Sequence, residues 1–429
     1  MSNSVPSAWE DVSLGEYAHI KARIGWRGLS SSEYTDTGAY LVAGTHIKGA
    51  KIDWDDCDHI DEFRYAESPE IQLKECDVVI SKDGTIGRLG YVENLPGPAT
   101  INGTMMLIRP GEAFFSKFIY FYLQGDNFQK VIKEKVSGSS VPHIFQRDMV
   151  TLKVPVPPLP EQKKIAAILS SVDDVIEKTR AQIEKLKDLK TGMMQELLTK
   201  GIGPDGAPHT AFKDSPLGRI PEGWSVAALE SLLADVDYPM RSGPFGSSLL
   251  KSELVQDGIP YLGIDNVHVE KFEDKFRRFV SEEKFNELRR YEVKANDVMV
   301  TIMGTVGRCC VVPGSIGRAL SSKHVWTMTF DPELYVPELV CWQINYADWV
   351  QDQFKAESQG GVMDSISSKT LRGLLLPLPP IVEQRKIALA HSKISKTLAQ
   401  KADKLSAVQS LKKALMQDLL TGKVRVKVS

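Results

Sequence analysis

The chain has 429 residues, 42% hydrophobic and 25% charged, with a formal net charge of −2 and a mean hydropathy of −0.19. That length accommodates two or three domains with separate cores, and no apolar run reaches the roughly 18 residues that cross a bilayer. A near-neutral total leaves no global electrostatic footprint of a nucleic-acid binder. MSNSVPSAWEDVS at the N-terminus lacks a basic segment followed by an apolar one, so no signal peptide is expected. The five cysteines (Cys57, Cys76, Cys309, Cys310, Cys341) form no CxxC pair, and a reducing cytoplasm is the expected location. Charge is nevertheless uneven. Residues 383–429 carry eleven Lys/Arg against three Asp/Glu, whereas residues 1–160 carry sixteen against twenty-one. The basic stretch is either a solvated helix face or a surface for an anionic partner.

In chain order, the first half offers GAYLVAGTHI from Gly38, the acidic DWDDCDHIDE from Asp53, and the apolar strand DVVIS, which runs into DGTIGR ending at Arg88. The acidic stretch lacks the central Gly of a calcium loop and reads as a solvated loop. PVPPLPEQKKIAAIL (Pro155 to Leu169) then enters a long helical pattern that closes on MMQELLT at Thr199. Gly- and Pro-rich residues 202–223 read as a linker. After it the series repeats. GIPYLGIDNV follows GAYLVAGTHI at an offset of 220, and DVMVTIMGTVGR follows DVVISKDGTIGR at 220. PLPPIVEQRKIALAH and LMQDLLT follow their counterparts at 222, and Trp224 follows Trp9 at 215. One order and nearly one offset make this a tandem repeat, with the helices better preserved than the globular parts.

Within each helix the apolar positions alternate steps of four and three, the spacing of a coiled-coil seam. The first seam is Ile165, Leu169, Val172, Ile176, Thr179, Ile183, Leu186, Lys190, Met193 and Leu197. The second is Ile387, His391, Ile394, Leu398, Lys401, Leu405, Val408, Lys412, Leu415 and Leu419. Polar members specify register at a cost in stability, and His391 is expected as a partly exposed seam residue. Pro160 suits a first helical turn, and Gly201 and Gly422 suit the left-handed residue that ends a helix. Each helix should span about 60 Å. Pairing with each other is the simplest way to cover two apolar stripes, and an internal duplication packed about a pseudo-two-fold axis across the helices makes them antiparallel. The expected fold is α+β: globular parts at 1–157 and 224–379, helices at 158–201 and 380–422, a linker at 202–223 and a tail at 423–429.

Motifs for chemistry do not emerge. There is no GxxxxGK[ST] phosphate loop, the proline segments lack the Asn or Asp of an amino-methyltransferase tetrapeptide, SGPFGSS (Ser242 to Ser248) lacks the strand-loop-helix setting of a cofactor loop, and the eight histidines lack zinc spacing. Neither a catalytic nor a metal-ligating residue is assigned. DGTIGR and MGTVGR stand out because Thr85, Arg88, Thr305 and Arg308 persist between diverged halves. Two readings stay open: a tight turn in which Gly84, Gly87, Gly304 and Gly307 supply positive φ, or a glycine-thin loop whose Arg and hydroxyl approach a phosphate backbone.

The duplicated PPLPEQ/PPIVEQ helix entry, the helix end (M/L)MQxLLT and the repeated GT(I/V)GR segment resemble the specificity subunits of type I restriction–modification systems over essentially the whole chain. The segment from Ser242 resembles the start of many target-recognition domains of that family. The chain departs at Cys76, where the family usually has Gly, and at residue 83, which is Asp while its counterpart is Met303. The resemblance implies two homologous α/β target-recognition domains separated by the two helical regions, double-stranded DNA as ligand, and two methyltransferase (M) subunits docked on the helices. Restriction–translocation (R) subunits would join them. It implies a non-catalytic chain with no cofactor of its own: S-adenosylmethionine belongs to the M partner, ATP and magnesium to the R partner. No membrane is involved.

Candidate DNA contacts are Lys82, Thr85, Arg88, Arg241, Ser242, Thr305, Arg308 and Lys323. Candidate seam or partner positions are Ile165, Leu169, Val172, Ile176, Ile183, Leu186, Ile387, Ile394, Leu398, Leu405, Val408 and Leu415. Helices of about 60 Å exceed one DNA turn of roughly 34 Å, so the target should be two short blocks around unread base pairs. Diverged readers imply an asymmetric target. Competing readings are a type IIB-like or methylation-only system, and a coiled-coil scaffold that does not bind DNA.

Overall fold

The computed structural model describes residues 6, 8–23, 29–49, 51–137, 143–357 and 365–428. The chain divides into two units, Met1–Gln182 with Lys401–Ser429, and Ile183–Gln400. The two long helices, Leu159–Lys200 and Ile381–Leu419, have 42 and 39 residues, and each contributes to both units.

In the first unit a six-stranded sheet runs Ala18–Ala22, Met105–Pro110, Val78–Ser81, Leu89–Tyr91, Lys51–Ile52, Ile47–Lys48. Its central strand is apolar over Val78, Val79 and Ile80 because both faces are covered. Val78 and Ile80 join a core that includes the helix Ser116–Gln124, while Val79 joins another with Ile47, Ile52 and Val92. The second unit repeats this arrangement as Met240–Arg241, Val325–Met328, Val298–Thr301, Cys309–Val311, with Val298 and Val300 in one core and Met299 in another. Both units also pair two strands in parallel, Tyr40 opposite Ala99 and Tyr261 opposite Leu320. Just before the central strand the chain turns through the left-handed region, with φ of 70° at Cys76 and 66° at Asn296. A glycine would take that turn without steric cost, and asparagine tolerates it. Cys76 is therefore the strained substitute.

Inside each unit the helices run antiparallel. In the first, Arg425 grips Glu161, Lys412 meets Asp173 at 2.7 Å, and Lys401 donates to Gln182 at 2.7 Å. Every one of the twenty seam positions is buried or half-buried, as the heptad spacing demands. Gly201 and Gly422 end the helices with φ of 64° and 72°. The expectation for His391 needs correction. It is buried, its ring lies 3.9 Å from that of Trp342, and its Nε2 is 2.9 Å from Glu270. Glu270, at the tip of the hairpin Val267–His268/Lys271–Phe272, also pairs with Lys190. Burial raises the Glu270 pKa, but the hydrogen bonds of His391 and Lys190 outweigh it and hold the carboxyl below its ordinary value. Polar seam residues here receive an incoming loop rather than water. Residues 202–223 are likewise more than a connector: Phe212–Ser215 and Gly218–Pro221 form a hairpin, and Ile220 enters the core of the second unit.

The repeated Glu-Gln pair has a structural cause. Glu161 accepts from the Trp9 indole at 3.3 Å and from Arg425 Nε and a terminal nitrogen, each at 2.7 Å. Glu383 accepts from the Trp224 indole at 3.1 Å and from the Ile202 backbone at 2.8 Å, with His209 at 3.0 Å. Gln162 accepts from the backbone of Phe115 and donates to Ala113 and Pro157, and Gln384 does the same with Val336, Leu334 and Pro379. All four side chains are buried. The pair locks each helix entry to the strand before it and to the segment that leaves the other helix. Glu383→Ala, which strands the Trp224 and Ile202 donors, is expected to cost about 3 kcal/mol, at 1–3 kcal/mol per buried unpaired group. Chemical denaturation measures this against exposed Lys393→Ala, expected within about 0.5 kcal/mol of the parent.

Candidate nucleic-acid interface

Four loops meet at the end of the central strand of each unit. In the first unit the turn 82–87 leaves Val78–Ser81, and Gly87 N–H closes it on Ser81 O at 2.9 Å. The Ser81 hydroxyl donates to Thr85 O and accepts from Arg88 N–H at 2.9 Å. Lys82 N–H donates to Thr104 O at 2.8 Å, Ile144 N–H to Lys82 O at 3.0 Å, and the Arg88 guanidinium to Gly44 O at 2.8 Å. Loops 44–46, 102–104 and 143–145 thus attach to the turn.

The second unit builds the same cluster. Gly307 N–H closes on Thr301 O at 2.9 Å, and the Thr301 hydroxyl donates to Thr305 O and accepts from Arg308 N–H at 3.0 Å. Ile302 N–H reaches His324 O at 3.1 Å, and Ile366 N–H reaches Ile302 O at 3.3 Å. The turn glycines take φ of 69°, 80°, 75° and 84° at Gly84, Gly87, Gly304 and Gly307, so the tight-turn reading accounts for them. Ser81 and Thr301 escaped the motif reading, although a hydroxyl at both positions, 220 apart, was the visible signal.

The sequence candidates separate in space. Thr85 and Lys323 are exposed at the cluster. Lys82 is largely covered and pairs with Asp83 at 2.8 Å, and Arg88 is half-buried with its guanidinium engaged. Arg308 and Thr305 are half-buried, and the Thr305 hydroxyl has no hydrogen-bond partner among the described residues. Arg241 and Ser242 are buried, and Arg241 lies away from the cluster. It donates to Glu292 O at 2.6 Å and pairs with Asp297. Asp297 precedes the strand Val298–Thr301, whereas the turn follows it, so Arg241 serves the opposite end of the sheet.

Neighbouring side chains absent from the candidate list complete the two clusters. In the first unit Asp83 pairs with His143 as well as Lys82, and those hydrogen bonds override the upward push of burial and hold its carboxyl below the ordinary range. In the second, Met303 and Ile264 are exposed, Arg278 pairs with Asp265, and burial together with the charges of Lys323 and Arg278 lowers the His324 pKa. Among the described residues no group of three His, Cys, Asp or Glu is arranged to hold a metal ion, and no helix is long and apolar enough to cross a membrane. In the acidic stretch, Asp53 and Asp56 pair with Lys48 at 2.9 Å each. A glycine-thin turn ringed by cations, hydroxyls and an imidazole is equipped to bind a polar polymer surface.

Residues 6–188 match the family described as "Type I restriction modification DNA specificity domain". Over 99% of its length the chain is 27% identical to the putative type I restriction enzyme MjaX specificity subunit of Methanocaldococcus jannaschii, covering 95% of that protein. It is 26% identical to the MjaVIII specificity subunit of the same organism, at 99% and 94% coverage. Its fold is similar to the crystal structure of a type I restriction–modification S subunit from M. genitalium, with a TM-score of 0.59, 16% identity and coverage of 98% and 97%.

Proposed function

From the match of residues 6–188 to the type I restriction–modification specificity domain and the full-length similarity to two type I specificity subunits, we infer that the chain is such a subunit and that its work is DNA target recognition on behalf of partner enzymes. The observation that carries this reading is the four-loop cluster, built twice on one backbone plan and dressed each time with different side chains. Each unit would read one block of a split, asymmetric double-stranded DNA site. The target-recognition domains would correspond to 1–157 and 224–379, and the helical regions to 158–201 and 380–422.

Two adenine-N6 methyltransferase subunits would dock on the helices, and restriction–translocation subunits would join that assembly. Leu189 and Leu411, 222 apart and 58% and 52% exposed, give each helix one equivalent apolar point outside the seam. Methyl transfer, its S-adenosylmethionine, and the ATP and magnesium of translocation belong to those partners. The chain itself holds no cofactor and acts as a reader and scaffold in the cytoplasm. Partner subunits carrying phosphate contacts would make a net charge of −2 compatible with tight DNA binding. Adenine N6 must leave the duplex to be methylated, and that step falls to the methyltransferase.

Methylome sequencing of methylation-free cells expressing the chain with its methyltransferase tests this directly. The expected result is one bipartite, asymmetric adenine-methylated motif. Absence of any bipartite motif would sink the reading.

A further inference from the structure

The two clusters share their backbone bonds but not their exposed chemistry, and we propose that the differing positions determine which base pairs each unit reads. They are residue 83 with His143 in the first unit, and residue 303 with its neighbour Ile264 in the second. The inference rests on the DNA-reading function above and assigns that function to particular side chains.

The scaffold is constant where it could have varied. The hydroxyls of Ser81 and Thr301 tie the same two backbone groups, and the Ile144 and Ile366 amides dock on the residue after each strand. On an unvarying backbone, substituted surface side chains change what is recognised without changing the fold.

In the first unit Asp83 holds one ring nitrogen of His143, Nδ1. The other, Nε2, has no partner among the described residues, and the side chain is 25% exposed. The Asp83 carboxylate at Nδ1 fixes the orientation of the ring and leaves Nε2 facing outward, an acceptor when the ring is neutral. An acceptor so placed complements an amino group on a base edge, cytosine N4 or adenine N6.

In the second unit the residue 220 positions on from Asp83 is Met303, 41% exposed, with His324 Nδ1 2.8 Å from its sulfur. Ile264 is 36% exposed, and its Cδ1 lies 3.7 Å from where a side-chain Cβ at position 304 would stand. That surface offers apolar contact of the kind made with the thymine methyl group, flanked by the cations Lys323 and Arg278. The first unit therefore reads by hydrogen bonding at this point, and the second by apolar contact.

Reciprocal exchange tests the assignment. The full chain carrying Asp83→Met, His143→Ala or Met303→Asp is expressed with its methyltransferase, and the methylome is sequenced. Asp83→Met and His143→Ala are expected to alter or broaden one block only, with methylation at the original sites falling about ten-fold or more, the size of one lost base contact. Met303→Asp is expected to alter only the other block. Spacer length stays the same in all three.

An unchanged motif, changes in both blocks from one substitution, or loss of methylation at every site from a complex that co-purifies and melts like the parent would each overturn the assignment. Should Asp83→Met not assemble, the near-isosteric Asp83→Asn carries the same expectation. A parent chain that yields no bipartite motif would instead defeat the function itself, so the two failures are distinguishable.

Discussion

Inserting one heptad into each long helix, after Gln182 and after Gln400, is expected to lengthen the unread spacer of the DNA target by about three base pairs. Seven residues add about 10.5 Å of helix at 1.5 Å each, and base pairs stack at about 3.4 Å. The insertion points follow from the contacts. Glu161–Arg425, Asp173–Lys412 and Gln182–Lys401 all fall within the first unit, and Lys190, His391 and Glu270 meet within the second. Cutting between these sets leaves each intact. A heptad in both helices preserves the four-three seam, whereas the same insertion in one helix alone would shift every later seam residue against its partner. Methylome sequencing reads the spacer directly. An unchanged spacer with intact half-sites would refute the role of the helices as the element that spaces the readers.

Arg241→Ala is expected to destabilise the second unit by about 3–5 kcal/mol, the cost of leaving a buried carboxylate without its partner. Asp297 is fully buried and also accepts from Thr329 Oγ1 at 2.6 Å and Lys294 N–H at 2.7 Å. Burial opposes both charges, raising the pKa of Asp297 and lowering that of Arg241. The first unit solves the same problem from another position. Asp77, buried at the same register, pairs with Arg109 through bonds of 2.8 and 2.7 Å, and the residue 220 positions after Arg109 is Thr329. Thr329→Arg is therefore expected to restore a large part of the stability lost in Arg241→Ala, because the first unit shows that an arginine there reaches the carboxylate. Denaturant unfolding followed by tryptophan fluorescence measures both changes. Full stability in Arg241→Ala together with weakened DNA binding would return Arg241 to the recognition surface.

Arg241 illustrates what one-dimensional reading misses. It stands beside a Gly-Pro segment and is a candidate DNA contact by sequence. Its partner Asp297 lies 56 positions away, and only strand pairing brings the two together. Arg88 and Arg308 were legible as a repeated pair, yet one is engaged with Gly44 O while the other has no side-chain bond among the described residues. His143 was illegible altogether, because its role depends on Asp83, 60 residues distant, meeting it across two loops. The Glu-Gln pair stood out for its repetition, but its purpose required the indoles of Trp9 and Trp224, 152 and 159 positions away.

Periodicity and repetition are local or translational properties, so the sequence alone determined the two long helices, their seam, their glycine ends, the repeat and the turn glycines. Heptad spacing puts side chains on one helical face whatever the rest of the chain does, and positive φ selects glycine at the turn itself. What only the tertiary structure decided is which polar residues are spent on the fold and which are left for a ligand. A guanidinium or carboxylate has the same chemistry in either place, and the difference is whether a distant partner arrives to neutralise it in a site without water. His391 and Arg241 found such partners. Among the described residues, Thr85, Lys323 and Met303 remain exposed at loop ends.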